Sequence, residues 1–156
     1  MIAIADDNNL HLLDFIDRKK YDSKIALFQA KKNAVITPGI NSILTLISQE
    51  LFAYFSGTLQ HFTTPIYLSG SIFQNNAWQS LTTIPYGTTA TYTQQALMVG
   101  NTKAYRAVAQ ANSNNTLAII IPCHRVLGRN GKLCGYAGGI ARKEWLINHE
   151  KKSVNI

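Results

Sequence analysis

Cysteine, histidine and arginine stand side by side at Cys123-His124-Arg125, behind Pro122 and an apolar run, Leu117-Ala118-Ile119-Ile120-Ile121. A thiol attacks carbon as its thiolate, and a neighbouring base or positive charge raises the thiolate fraction. His124 and Arg125 offer both. The competing reading is a buried cysteine that fills space as a small hydrophobe. Adjacent residues on an extended chain point to opposite faces. His124 therefore reaches the Cys123 sulfur only if the chain turns here or a water carries the proton, which fits a protease-type dyad poorly.

Glu150 is the candidate third member. Leu146 and Ile147 precede it by four and three residues, so on a helix all three share one side. A carboxylate among apolar neighbours needs a partner, and an imidazole held by one is a better base. The alternative is a glutamate exposed near a frayed terminus. Arg106 lies in Lys103-Ala104-Tyr105-Arg106-Ala107-Val108-Ala109-Gln110-Ala111, where four alanines leave a narrow surface able to approach a nucleic-acid backbone. An arginine there contacts phosphate or enters a base stack, although alanine is also the best helix former. Cys123 and Cys134 with the scattered His11, His61, His124 and His149 do not match structural zinc spacing, so no metal is expected.

These groups need elements to carry them. Leu10–Ile16 reads as a strand, with Ile2–Ala5 as its hairpin partner across the Asp/Asn-rich turn Asp6–Asn9. Asp22 to about Lys32 reads as a short helix. Thr37 as N-cap with Pro38 at the first helical position predicts a longer helix. Its face is Leu44, Ile47, Leu51, Tyr54 and Phe55, and Gly57 closes it. Gln60–Ser69, with Pro65, reads as a linker. Short helices follow: one over about Ser71–Leu81, one opened by a Thr91/Gln94 capping box and ending near Gly100, and one over Lys103–Asn112. The last two, joined by Gly100-Asn101-Thr102, read as a helix-turn-helix. Leu117–Ile121 reads as a strand, and a final helix spans about Ile140–Lys151.

The chain has 156 residues and a net charge of +7. Residues 1–60 carry six basic and six acidic side chains; residues 61–156 carry nine basic ones against Glu144 and Glu150. The excess therefore sits in the C-terminal part, which favours a polyanion through counterion release or simply makes a soluble basic surface. Two cysteines make no disulfide framework. Neither a signal peptide nor a bilayer-spanning apolar run is visible, and a reducing intracellular compartment is the default expectation.

Taken in order, several segments resemble the O6-alkylguanine-DNA alkyltransferases, also called methylated-DNA–protein-cysteine methyltransferases. They are Gln49–Gly57 with Tyr-Phe-Ser-Gly, Phe73-Gln74 with Trp78, Ile84-Pro85-Tyr86-Gly87, Arg106-Ala107-Val108, Ile121-Pro122-Cys123-His124-Arg125-Val126, Gly135-Tyr136-Ala137-Gly138-Gly139 and Lys143-Glu144-Trp145-Leu146. The resemblance is strong from about Thr37 onward and weak before it. It implies an α/β (α+β) fold. Residues 1–66 would form a small, reduced N-terminal sheet-plus-helix domain. Residues 67–156 would form a mainly helical DNA-binding and alkyl-acceptor domain with a helix-turn-helix and a short sheet.

The resemblance also implies roles. Cys123 would accept the alkyl group, deprotonated by His124 through a water with Glu150 behind it. Asn115 would shape the active-site turn, and Tyr92 would bind and protonate the departing guanine. Arg106 would fill the gap left by a flipped-out nucleotide, with Ala104, Tyr105, Ala107 and Arg125 also at the DNA. Tyr136, Ala137, Gly138 and Gly139 would line the guanine pocket. The partner would be double-stranded DNA carrying O6-alkylguanine, with O4-alkylthymine left open. No cofactor, no membrane, a monomer and a cytoplasmic, nucleoid-associated location (nuclear in a eukaryote) are expected. Three positions depart from the family pattern: Thr116 stands where proline usually follows the asparagine, Thr88 where an acidic residue is common, and Tyr105 where a small residue often precedes the arginine.

Overall fold

The computed structural model describes residues 1–18, 25–26, 28–30 and 33–154. The expected hairpin is present. β1 (Ile2–Ala5) and β2 (Leu10–Asp14) pair antiparallel with Ala3 opposite Leu13, and a register shift falls between Ile4 and Ala5. Every residue of β2 is buried, because its other edge is also occupied. Leu10 N donates to Pro65 O and Tyr67 N to Leu10 O; Leu13 N donates to Thr116 O and Ala118 N to Leu13 O. Part of the expected linker, around Ile66, thus lies against β2 like a further strand. The obligation of buried backbone groups to pair also ties the N-terminal strand to the run leading into Cys123.

Of the helix expected over Asp22–Lys32, residues 25–26 and 28–30 are helical and the others lie outside the described residues. The next helix, α1 (Ser42–Phe55), starts later than Thr37-Pro38. Its cap is Asn41, extended at φ −140°, whose Oδ1 accepts from Leu44 N at 2.9 Å. Asn41 Nδ2 meanwhile donates to Asp6 O in the hairpin turn. One side chain therefore both caps the helix and anchors it to the hairpin turn. The buried face is Ile43, Ile47, Glu50 and Tyr54, whereas Phe55 is exposed. Gly57, at φ +77°, supplies the left-handed turn that ends the segment.

α2 (Ile72–Thr82) opens on a Ser71/Gln74 capping box and α3 (Tyr92–Met98) on the expected Thr91/Gln94 box. A single 3-10 turn at Thr102–Ala104 leads into α4 (Tyr105–Ser113). Ala77, Ala96, Ala104, Val108 and Ala111 form the small core of this helix-turn-helix. Small side chains let the helices approach closely. Inside that contact Gln95 and Asn112 exchange amide hydrogen bonds of 3.0 and 2.7 Å. β3 (Ala90–Thr91) pairs parallel with β4 (Val126–Leu127), and α5 (Ile140–Val154) closes the chain. The main core joins Leu10 and Leu13 to Ile47, Trp78, Leu81, Leu117, Ile121 and Val126.

The run Leu117–Ile121 is not the strand its composition suggests. Ile119 has φ +74°, costly for a β-branched residue, and Ile121 N folds back onto Leu117 O at 2.9 Å. Burial of the Ile119 side chain against Tyr54, Tyr86 and Leu146 holds it there. Among the described residues no helix is long and apolar enough to cross a membrane.

Replacing Gln95 by Ala should destabilise the protein by about 1–3 kcal/mol, since Asn112 is left buried without its partner. The Gln95→Ala/Asn112→Ala double variant should lose less than the sum of the singles in urea denaturation. An additive double variant would show that the amide pair is not coupled.

Candidate active site

The chain turns at the nucleophile. Cys123–Arg125 is a single 3-10 turn, all three residues are buried, and Cys123 is 6% exposed. The turn sends the three side chains in different directions. The sulfur accepts from Asn115 Nδ2 at 3.3 Å. The same amide nitrogen donates to Ile121 O at 2.9 Å, and Asn115 Oδ1 accepts from Leu117 N at 2.9 Å. Asn115 thus staples the looped 117–121 segment and touches the thiol. Burial pushes the Cys123 pKa up, only partly opposed by the Asn115 hydrogen bond and by the charges of Arg18 and Lys143. At rest it is a thiol that needs a base.

On the opposite side Glu150, 1% exposed, is the hub of a buried network. His124 Nε2 lies 2.7 Å from its Oε1, and Tyr54 Oη donates to Oε1 at 2.8 Å. Arg125 Nε donates to Oε2 at 2.9 Å, and the Gly87 N–H to Oε2 at 3.1 Å. Burial alone would raise the carboxyl pKa, but the His124 and Arg125 hydrogen bonds and charges outweigh it and hold it down at about 2. An ionised carboxylate only accepts, so His124 Nε2 carries the proton it donates. Burial lowers the His124 pKa by more than Glu150 raises it, with Arg125 and Lys143 adding to the lowering. The imidazole is therefore neutral. Its Nδ1 is buried with no partner among the described residues, leaving a lone pair that can take a proton.

A narrow cleft lies beside Cys123, lined by Asp14, Phe15, Arg18, Asn115, Tyr136, Ala137 and Gly138 among others, with about 10 Å³ of free space, little more than one water fills. Tyr92, at the start of α3, donates to Gly135 O at 3.0 Å. Burial pushes its pKa up to about 12, so it stays a donor at neutral pH. Gly139 does not line this cleft. It sits in the exposed turn that opens α5, at φ +93° with its N–H on Tyr136 O.

Two expected DNA contacts are corrected. Arg125 is 8% exposed and fully engaged, donating to Glu150 and through Nη1 to Ile84 O at 2.7 Å. Ala104 is buried in the helix-turn-helix core. Tyr105, Arg106 and Ala107 are exposed on α4, with the Arg106 guanidinium 5.4 Å from the Tyr105 ring centre. Among the described residues no group of three or more His, Cys, Asp or Glu gathers as metal ligands would.

Sequence reasoning missed Tyr54 as a partner of Glu150, and it named Lys143 only within a family motif, with no role at the site. Lys143 is fully buried, and its ammonium donates to the carbonyls of Val126, Cys134 and Gly135, tying the 134–135 loop to β4. A signal existed: Lys143 shares the i, i+3, i+4, i+7 stripe of Leu146, Ile147 and Glu150.

The fold and the site together define a helix-turn-helix protein whose buried cysteine is backed by a histidine and a carboxylate. The family model for the 6-O-methylguanine DNA methyltransferase DNA-binding domain matches residues 72–152. A methylated-DNA–protein-cysteine methyltransferase from Methanosarcina barkeri is 48% identical over 107 residues, 69% of this chain and 68% of the relative. The crystal structure of Mycobacterium tuberculosis O6-methylguanine methyltransferase is similar with a TM-score of 0.80 at 38% identity, covering 96% of this chain and 84% of that one. The structure of Mycobacterium tuberculosis OGT in complex with DNA gives a TM-score of 0.82 at 36% identity, covering 97% and 86%. The chain belongs to the O6-methylguanine-DNA methyltransferase family.

The depressed pKa values of Glu150 and His124 make acid the weak side of this protein. Glu150 has a folded pKa below its ordinary 4.5, so its contribution is complete above pH 4.5 and lost as pH falls toward about 2. His124 acts in the same sense from pH 6.5 downward, because only the unfolded chain readily binds that proton. Glu150→Gln should cost on the order of 3 kcal/mol at pH 7 and flatten the loss of stability below pH 4.5. Urea unfolding as a function of pH checks this, and an unchanged slope would remove Glu150 from the role.

Proposed function

We propose that this chain is a single-turnover DNA repair protein that moves an alkyl group from O6 of guanine in double-stranded DNA onto Cys123 and keeps it. The observation that carries the reading is the thiol at a cleft, backed by a neutral imidazole on a buried carboxylate and joined through Tyr92 and Trp78 to a basic helix-turn-helix. Cys123 gives its proton through a water to His124 Nδ1, and Glu150 stabilises the resulting imidazolium. The sulfur lone pair forms the S–C bond as the C–O6 bond breaks, and guanine leaves with that electron pair. Tyr92 donates its hydroxyl proton to the leaving base and regains one from solvent, while the His124 imidazolium loses its extra proton to solvent, so the protons balance. The thioether resists hydrolysis, so each molecule reacts once.

The alkyl carbon is poorly accessible in a stacked duplex, so the nucleotide must be extruded. Arg106, exposed on α4, fills the gap it leaves, with Tyr105 and Ala107 at the groove. Tyr136, Ala137 and Gly138 receive the base, which requires the narrow cleft to widen around it. Residues 67–156 supply the DNA-binding and acceptor chemistry and residues 1–66 an accessory unit, in a monomer acting on DNA in the cytoplasm.

Incubation with duplex DNA carrying one O6-methylguanine should add one methylene to the peptide containing Cys123, read by mass spectrometry, with no turnover beyond one equivalent. DNA binding without an adduct would instead make the chain a lesion-recognition protein. Cys123→Ala should abolish transfer and leave duplex affinity largely intact, because phosphate contacts dominate binding; equal loss of both in a folded variant would contradict the assigned roles. Arg106→Ala should slow transfer from duplex DNA more than from free O6-alkylguanine, and equal slowing would remove it from flipping.

A further inference from the structure

The mechanism leaves one buried ion pair unused. Asp14 ends β2, and Arg18 follows after a turn closed by Arg18 N on Phe15 O. Their side chains are 2% and 7% exposed, and Arg18 Nη1 lies 2.6 Å from Asp14 Oδ2. A guanidinium so enclosed needs acceptors for its other N–H groups. It finds them 97 and 95 residues further along the chain: Nη1 also donates to Asn115 O at 3.1 Å, and Nη2 to Ser113 O. These carbonyls belong to the turn whose asparagine amide sits on the Cys123 sulfur.

The same short segment reaches the other wall of the cleft. Phe15 packs so closely that a Cβ on Gly138 would meet its ring at 3.0 Å. Arg142 lies over that ring at 4.5 Å and pairs with Asp17 at 2.7 Å. Residues 14–18 therefore span the cleft from the Ser113–Asn115 turn to Gly138 and the start of α5 at Arg142, and Asp14, Phe15 and Arg18 line it.

We propose that Arg18, braced by Asp14, is a positioning residue for the Cys123 reaction: it clamps the Ser113–Asn115 carbonyls so that the Asn115 amide stays on the sulfur. The clamp answers a local weakness. Thr116 follows Asn115, and threonine does not fix φ as proline does, so the turn must be held from outside. The guanidinium charge also opposes the upward push of burial on the thiol. The N-terminal part of the chain is thus a working component of the site rather than a passive support. This inference rests on Cys123 being the acceptor.

The test uses the full chain with O6-methylguanine duplex in single-turnover kinetics. Arg18→Met should lower the transfer rate constant by about tenfold to a hundredfold, the cost typical of a small misplacement of reacting groups. Duplex affinity should stay unchanged, and the pH profile of Cys123 alkylation by iodoacetamide should move to higher pH. Because Arg18 acts through Asn115, adding Arg18→Met to Asn115→Ala should slow transfer little further. A wild-type rate in Arg18→Met, or a fully additive double variant, overturns the clamp. Should Arg18→Met fail to fold, Arg18→Lys decides: it keeps the charge but not the two-pronged reach, so slower transfer with a wild-type pH profile supports the proposal and a wild-type rate overturns it. Failure of wild-type protein to take up methyl would instead sink the acceptor assignment itself, so the two failures are distinguishable.

Discussion

A buried carboxylate is among the most expensive groups a protein can enclose, and here the arrangement of the site follows from satisfying one. Glu150 gathers four donor residues from three segments: Tyr54 near the end of α1, Gly87 after the Ile84-Pro85 turn, and His124 and Arg125 on the 3-10 turn. Each of those segments is fixed in part by that demand. Arg125 supplies a compensating charge for the carboxylate. Burial is what chiefly keeps His124 neutral against the pull of Glu150, with the charges of Arg125 and Lys143 adding to it. The carboxylate fixes the tautomer of His124 and burial its protonation before any substrate arrives.

The sulfur is governed separately. Cys123 is adjacent to His124 in sequence, yet its hydrogen bond comes from Asn115, on the far side of the looped 117–121 run. The strained Ile119 lets the chain turn back, so that one amide can hold Leu117, Ile121 and Cys123 together. β2 borders the run through Leu13, and Lys143 secures the following loop. Thiol and base are therefore positioned by different parts of the molecule that meet at three consecutive residues.

The helix-turn-helix follows another constraint. Its alanines serve two purposes that composition cannot separate. Ala104 and Ala111 face inward and let the helices pack closely, while Ala107 stays on the outer surface beside Arg106. The reciprocal Gln95–Asn112 pair lies in that interior. An arginine on a short helix of small residues, tied to the main core through Tyr92 and Trp78, suits a protein that must press against a polyanion.

Much of the framework was legible in the sequence, because it depends on local signals. The hairpin alternation, the Thr91/Gln94 box, the left-handed glycine after α1 and the helical spacing that puts Glu150 beside Leu146 and Ile147 act within a few residues. The ordered motifs from Tyr54 to Leu146 identified the family. Contacts between distant segments were not legible. An apolar run such as Leu117–Ile121 reads as a strand until the Asn115 amide and the burial of Ile119 impose a loop. Arg125 reads as a DNA contact until Glu150, 25 residues away, proves to be the charge it neutralises. Arg18 carries no local signal that it reaches Asn115. Sequence records what each residue can do with its neighbours; the pairing of buried polar groups is settled only when the whole chain has closed around them, since their cost appears only once water is excluded.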